Sequence, residues 1–301
     1  MQGKLFIVGN GLDLYFGLPT STNCFCDKLK LQVVDDIADI NAENLLDFYQ
    51  RYNVFWSEWE EGLADLNVED LEQLCQIAPD YMSDSEEDRE GTVLQVEDFF
   101  SSILSARDDA LHEMIKDAER MLESDQDFGK YNEQLFNSSN SYIINFNYTS
   151  TIESLFCLDK TVINYHIHGS FEDDKLLFGY TDETLIKKYR KDLEERTKYD
   201  EQADPFIVKQ EDEVIEFYSE NKKILQLKEL EERFCHINRI DQVVVLGHSM
   251  AGVDSKYFEL IERMFHPSEW TVSYYGSEPD LGMYSFANKI KFQPFEQLIK
   301  S

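Results

Sequence analysis

Asp241-Gln-Val-Val-Val-Leu246-Gly247-His248-Ser249-Met250 holds the clearest strand in the chain. Its apolar run is continuous and β-branched rather than alternating, the pattern of a strand covered on both faces in a parallel sheet. Lys4-Leu-Phe-Ile-Val8 has the same character and stops in Gly9-Asn10-Gly11-Leu12-Asp13. Ser141-Tyr-Ile-Ile-Asn-Phe146 stops in Asn147-Tyr148-Thr149, and Thr161 to Ile167 runs into His168-Gly169-Ser170. Trp270 to Tyr275 reads as a last central strand, and Lys175 to Asp182 as a short strand and turn. Helical spacing follows two of the strands. Ile152, Leu155 and Phe156 form the apolar face of a short helix behind a Ser150 cap, and Tyr257, Phe258, Ile261, Met264 and Phe265 that of a longer one beyond Asp254. A last helix is expected over Met283 to Phe292. Strands alternating with helices define an α/β fold with a largely parallel sheet.

Two stretches interrupt this alternation, so the expected organisation is one α/β domain over 1–301 with a helical insertion at about 35–140 and an acidic helical lid at about 183–236. In the insertion, Leu45, Leu46, Phe48, Tyr49, Tyr52, Phe55, Trp56, Trp59 and Leu63 recur at three- and four-residue steps, as a core-facing stripe does. Tyr81 to Gly91 reads as an acidic loop, and Val96, Phe100, Ile103, Leu111, Met114, Ile115 and Ala118 as a second long helix. In the lid, apolar positions such as Ile207, Val214, Ile215, Phe217 and Tyr218 are sparse among charges, which predicts partial exposure.

Composition narrows the function classes. The 301 residues are 42% hydrophobic and 13% aromatic, enough for a sizeable core. A net charge of −32 opposes broad contact with nucleic acid or an anionic membrane surface. It does not oppose a small anionic ligand held locally by backbone N–H groups. Five cysteines without a C-x-x-C pair suit free thiols in a reducing cytoplasm, and no metal site is expected. The apolar run at Leu5 to Val8 is too short for a signal peptide, and no segment approaches the roughly 18 apolar residues of a membrane span. A soluble, cytoplasmic protein is expected.

In a parallel sheet the carboxyl ends of the strands share one edge, where ligands of open α/β folds bind. Here that edge would gather Gly9-Asn10-Gly11 with Asp13, Asn145 with Asn147-Tyr148, His166 with His168-Gly169-Ser170, and Gly247-His248-Ser249. Two of the six histidines fall two residues apart at His166 and His168, so on a strand they would face the same way. An imidazole can take or give a proton near neutral pH.

These spaced blocks resemble sirtuin-like NAD-binding domains: a glycine turn after the first strand, an Asn after the second, a His-Gly pair and a later Gly-x-Ser. More closely, IVGNGLDLYFGLPTS, INFNYT, HIHGS and VLGHSMAGVD resemble the bacteriophage abortive-infection AbiH family, in blocks reaching from the N-terminus to about Asp254. The resemblance implies a Rossmann-like, sirtuin-like fold with helical insertions, in a bacterial anti-phage effector. It further implies NAD or a related nucleotide as substrate or ligand, cleaved at the N-glycosidic bond. Asn147 would then position ribose or water, and His168 would act as general base. Gly9, Asn10 and Gly11 would hold the pyrophosphate, with Asp13, Tyr148, Gly169, Gly247, His248, Ser249 and Asp254 completing the nucleotide site. Asn10 stands where the family turn has a small residue. Asp13 beside a pyrophosphate is unfavourable unless it caps a helix or binds ribose. The paired cysteines of a sirtuin zinc module are absent from the sequence, which argues against protein deacylation.

Two other functions remain open on sequence alone: a non-catalytic nucleotide sensor, and an acidic protein-interaction module in phage defence. The expected partner is a small nucleotide, with no nucleic acid and no membrane. A homo-oligomer or a protein trigger is left open.

Overall fold

In the computed structural model the described residues are 3–36, 56–63, 85–124, 126–137, 140–173, 176–199 and 204–301. Six strands form one sheet: β1 (Lys4–Val8), β2 (Ser141–Asn145), β3 (Ile163–His166), β4 (Gln242–Leu246), β5 (Glu269–Tyr274) and β6 (Ile290–Pro294). All neighbours run parallel, in the order β3-β2-β1-β4-β5-β6. This is the Rossmann-like order, in which the chain crosses from one side of β1 to the other between β3 and β4.

The apolar strands are explained by a core on each face of the sheet. Leu5, Ile7, Ile144, Val243, Val245, Trp270 and Val272 lie in one core, and their immediate neighbours Phe6, Val8, Ile143, Val244 and Leu246 lie in the other. Successive side chains of a strand alternate in direction, so a strand buried on both sides must be apolar throughout.

The described helices, in chain order, are α1 (Gly11–Tyr15), α2 (Thr22–Asp36), α3 (Trp56–Gly62), α4 (Glu86–Leu122), α5 (Thr151–Leu155), α6 (Thr184–Tyr199), α7 (Pro205–Glu220), α8 (Leu227–Phe234), α9 (Ser255–Phe265) and α10 (Phe295–Lys300). Leu230 and Phe234 of α8 and Tyr257, Phe258, Leu260 and Ile261 of α9 cover the first core. The second is covered by Leu12 of α1, Ala118 and Leu122 of α4, Ile152 of α5, and Phe295, Leu298 and Ile299 of α10.

The chain divides into two compact units, one of residues 1–21, 114–177 and 224–301 and one of residues 22–113 and 178–223. The first holds the sheet. The second is helical: Phe25 meets Trp56 and Trp59 with ring centroids 5.5 and 5.2 Å apart, and Phe100 stacks on Phe217 at 4.6 Å. Lys223 and Glu60 form a buried ion pair at 3.1 Å, and Glu60 also accepts from the Gly179 N–H. A buried carboxylate needs such compensation, because its desolvation is otherwise costly.

Several expectations change. Val214, Ile215, Phe217 and Tyr218 are buried, so α7 contributes to a core rather than to an exposed lid. Glu86 to Gly91 open helix α4 instead of lying in a loop. The stretch expected to be a strand before Asp182 gives a single bridge, Tyr180 with Lys222. No helix spans Met283 to Phe292; the edge strand β6 begins at Ile290, preceded by a 3-10 turn at Ala287–Lys289. The aromatic stripe from Leu45 to Phe55 lies outside the described residues, while Trp59 and Leu63 are buried. No described helix is long and apolar enough to cross a membrane.

Two glycine substitutions should separate in sign. Gly91 lies inside α4 with nothing within 4 Å of an added Cβ, so Gly91→Ala should raise stability by about 0.5–1 kcal/mol through helix propensity. Gly247 has φ +69 and an added Cβ would lie 2.6 Å from the Leu12 backbone nitrogen, so Gly247→Ala should lower the thermal midpoint clearly. Calorimetric melting of both variants beside the parent protein checks the pair.

Candidate functional site

The register of the sheet brings the predicted residues to one edge. Val8 is level with Asn145 on one side and Leu246 on the other, and Asn145 is level with His166. Ladder-like bonds continue one residue further: Gly9 N–H donates to Leu246 O, Phe146 N–H to Val8 O, and Ile167 N–H to Asn145 O. The turns after β1, β2, β3 and β4 are therefore fixed relative to one another by backbone hydrogen bonds.

At the centre, the turns after β1 and β4 are in backbone contact. Gly11 N–H donates to Gly247 O at 2.8 Å. A Cβ on Gly9 would lie 2.8 Å from Gly247 O, and one on Gly11 would lie 2.7 Å from Gly247 Cα. These glycines are required by close packing, and the N–H groups of Gly9 and Gly11 are spent on backbone carbonyls. Helix α1 starts at Gly11, where a turn was expected, and it carries Asp13 inward.

Asp13 is only 1% exposed. Its Oδ1 accepts from Asn147 Nδ2 at 3.0 Å and from Thr151 Oγ1 at 2.7 Å, and its Oδ2 accepts from Thr149 Oγ1 at 2.7 Å. Burial pushes its pKa up to about 6; the bonds from Thr151, Thr149 and Asn147 pull the other way, and Glu119 adds to the rise.

Asn147, 4% exposed, is held at three points. Its side-chain NH2 donates to Asp13, its backbone N–H to Asn145 Oδ1 at 3.0 Å, and its carbonyl oxygen lies 2.8 Å from His166 Nδ1. His166 Nε2 lies 2.9 Å from Glu153 Oε1, which also accepts from Asn164. A carbonyl and a carboxylate can only accept, so both ring nitrogens of His166 carry protons. Burial pulls the His166 pKa down, but the bond and charge of Glu153 outweigh it and the net shift is upward. His166 thus supports Asn147, and the two histidines of the pair serve different partners.

His168 is buried, its Nε2 3.4 Å from Asp254 Oδ1. The other oxygen of Asp254 lies 3.7 Å from His248 Nε2. His248 Nδ1 accepts from the Met250 N–H at 3.0 Å, which leaves the proton of a neutral His248 on Nε2, toward Asp254. Phe146 sets its ring edge-on against both imidazoles, with centroids 4.9 Å from His168 and 4.5 Å from His248. Met250 has φ +58, a left-handed conformation costly for a residue with a Cβ, in the turn that carries His248. Tyr148 donates its hydroxyl to Leu177 O and lies with its ring 6.4 Å from that of His168. Gly169 has φ +89, and Ser249 is exposed, with its Oγ 3.4 Å from the Ala251 N–H. Asn10 donates its side-chain NH2 to Thr20 O.

All twelve predicted residues lie in the sheet-bearing unit, and five of them form two side-chain groups, Asp13 with Asn147 and Asp254 with His168 and His248; Gly9 and Gly11 pack on Gly247, while Asn10, Tyr148 and Ser249 bond to other residues. Sequence reasoning missed Thr149, Thr151 and Glu153. The signal was present, since Asn145, Asn147, Thr149 and Thr151 form a polar run at period two. Among the described residues no group of three or more His, Cys, Asp or Glu could hold a metal ion.

The fold and this edge define an α/β protein of Rossmann-like order with a polar, partly buried centre at the carboxyl ends of its strands. The family model described as bacteriophage abortive infection AbiH matches residues 5–274, and the chain belongs to that family. No curated protein matches the chain.

The buried carboxylate sets a pH dependence. Asp13 binds its proton more tightly folded, at about 6, than the ordinary 3.8, so its contribution favours the folded state at low pH and is lost as pH rises from about 4 through 6. The shift corresponds to about 3 kcal/mol in total. His166, also raised, acts in the same sense: its stabilisation is complete below 6.5 and lost as pH rises through its folded pKa. Thermal midpoints should therefore fall as pH rises from about 4 to 8, on the order of several degrees, and Asp13→Asn should flatten the part of that decline between about pH 4 and 6.

Proposed function

We propose that this member of the abortive-infection family hydrolyses the N-glycosidic bond of NAD or a related nucleotide at the carboxyl edge of the sheet, as a sirtuin-like domain. The observation that carries the reading is a buried Asn147 and a buried imidazole, His168, in the turns after the neighbouring strands β2 and β3, with the carboxylate of Asp254 3.4 Å from His168 Nε2. A ribosyl transfer to water requires two things here: a group that orients the sugar or the water, and a base that takes a proton as the water attacks.

The residues divide these roles. In this reading neutral His168 keeps its proton on Nε2, 3.4 Å from Asp254 Oδ1, and Nδ1 is the nitrogen that accepts one. Asp254 orients the ring and stabilises the imidazolium once formed, and His248 faces the second carboxylate oxygen. Asn147 orients the ribose or the attacking water without a proton equilibrium of its own. In the reaction the bond from ribose C1′ to the nicotinamide nitrogen breaks and its electron pair leaves with nicotinamide. A bond forms from the water oxygen to C1′, and the water proton passes to His168. The products are nicotinamide and ADP-ribose.

The fit is strongest around the ribose. Asn147 Oδ1 is buried and accepts no hydrogen bond among the described residues, so it offers a place to a donor. The phosphates are assigned to the border formed by Gly9, Asn10, Gly11, Gly247 and Ser249, with Tyr148 and Gly169 beside His168. Phosphate placement rests on proximity to the turn, because Gly9 and Gly11 use their N–H groups internally.

The purified protein should release nicotinamide from NAD. His168→Ala and Asn147→Ala should each lower kcat/KM by about 100-fold or more, as loss of a general base or of a buried polar contact does. Chromatographic product analysis measures this, and turnover that survives both substitutions would remove the assignment.

A further inference from the structure

Asn147 is a terminal amide with two ends, and its surroundings choose between them. An ionised carboxylate accepts hydrogen bonds and cannot donate, so Asp13 Oδ1, 3.0 Å away, takes the NH2 end. Asp13 is itself fixed by the hydroxyls of Thr149 and Thr151, which approach from the segment that follows Asn147. The backbone of Asn147 is fixed too, through Asn145 Oδ1 and His166 Nδ1. Every polar handle of the residue is then engaged except Oδ1, which is buried and without a partner among the described residues. Leaving a buried acceptor unmade costs about 1–3 kcal/mol, and native folds rarely carry that cost without a use.

We infer that Asp13 is a positioning residue that locks the Asn147 amide with its oxygen toward the site, so that Asn147 receives a hydrogen-bond donor, a sugar hydroxyl of the ligand. This rests on the nucleotide reading above and adds to it the polarity of the contact. It also moves Asp13 from a ligand-binding role to one acting through Asn147: fully buried, with both oxygens occupied by protein donors, it has no oxygen aimed at a ribose. The charge kept beneath the sheet edge is the cost of a fixed orientation. A neutral partner such as a second amide could accept from or donate to Asn147 and would leave the orientation open.

The experiment uses wild-type protein labelled with 15N,13C-asparagine at pH 8, where Asp13 is ionised, with the Asn147 side-chain signals assigned from their loss in Asn147→Asp. The Nδ2 protons should exchange with water at least about 10-fold more slowly than those of exposed asparagines, as hydrogen-bonded buried groups do. On addition of ADP-ribose the Asn147 Cγ should shift while the Nδ2 protons stay protected. In Asp13→Ala the protection should be lost and the affinity for ADP-ribose should fall by about 10-fold or more, the effect of one misplaced buried hydrogen bond. Should that variant fail to fold, the wild-type signals decide alone. Fast Nδ2 exchange in wild type, loss of Nδ2 protection on ligand addition, an unmoved Cγ at saturation, or no binding of ADP-ribose overturns the inference. Binding with the expected shifts but no release of nicotinamide from NAD would leave it standing and remove the hydrolytic reading instead.

Discussion

The carboxyl edge of the sheet depends on two backbone turns lying closer than a Cβ allows. Gly9 and Gly11 after β1 meet Gly247 after β4, and Gly11 N–H bonds to Gly247 O. Because β1 is flanked by β2 and β4, this contact joins the two halves of the sheet at the point where the strand order reverses. It also places the start of α1 at Gly11, so Asp13 arrives beneath the edge within a single turn of helix. From Asp13 the chain of cause runs to Asn147, and through the carbonyl of Asn147 to His166 and Glu153.

Charge at this edge works against stability and toward order. Buried Asp13 is destabilised as a carboxylate, which is why its pKa rises despite three hydrogen bonds. Met250 adds a left-handed backbone in the turn that delivers His248. Both features are tolerable because the sheet around them is apolar on both faces and tightly registered. Costs concentrated beside polar, buried groups are the pattern of a functional site on a stable scaffold.

Much of the fold was legible because buried parallel strands must be continuously apolar. β1, β2, β4 and β5 each read directly from such runs, and the glycine or asparagine that follows β1, β2 and β4 marked the edge. β6 did not: Ile290-Lys-Phe-Gln-Pro294 lies at the sheet margin, only partly buried, and its alternation is too short to stand out from the stretch before it, which was expected to be helical. The burial of α7 was hidden for a similar reason, since charged residues on its outer positions diluted the apolar ones that pack inward. At the site, sequence identified which residues gather but not who holds whom. Asp13 and Asn147 are 134 positions apart, and only the sheet register makes them partners. His168 rather than His166 was expected to be the base, but that His166 serves the Asn147 carbonyl and Glu153 was not legible, because period-two spacing promised a shared direction that the turn after β3 does not keep.

A crystal structure of the complex with ADP-ribose tests the central claim most directly. The account predicts the ribose at the carboxyl edge, one of its hydroxyls within hydrogen-bond distance of Asn147 Oδ1 and its C1′ facing the His168 ring. A sugar bound elsewhere in the chain, or one that meets the Asn147 NH2 instead of its oxygen, would contradict it.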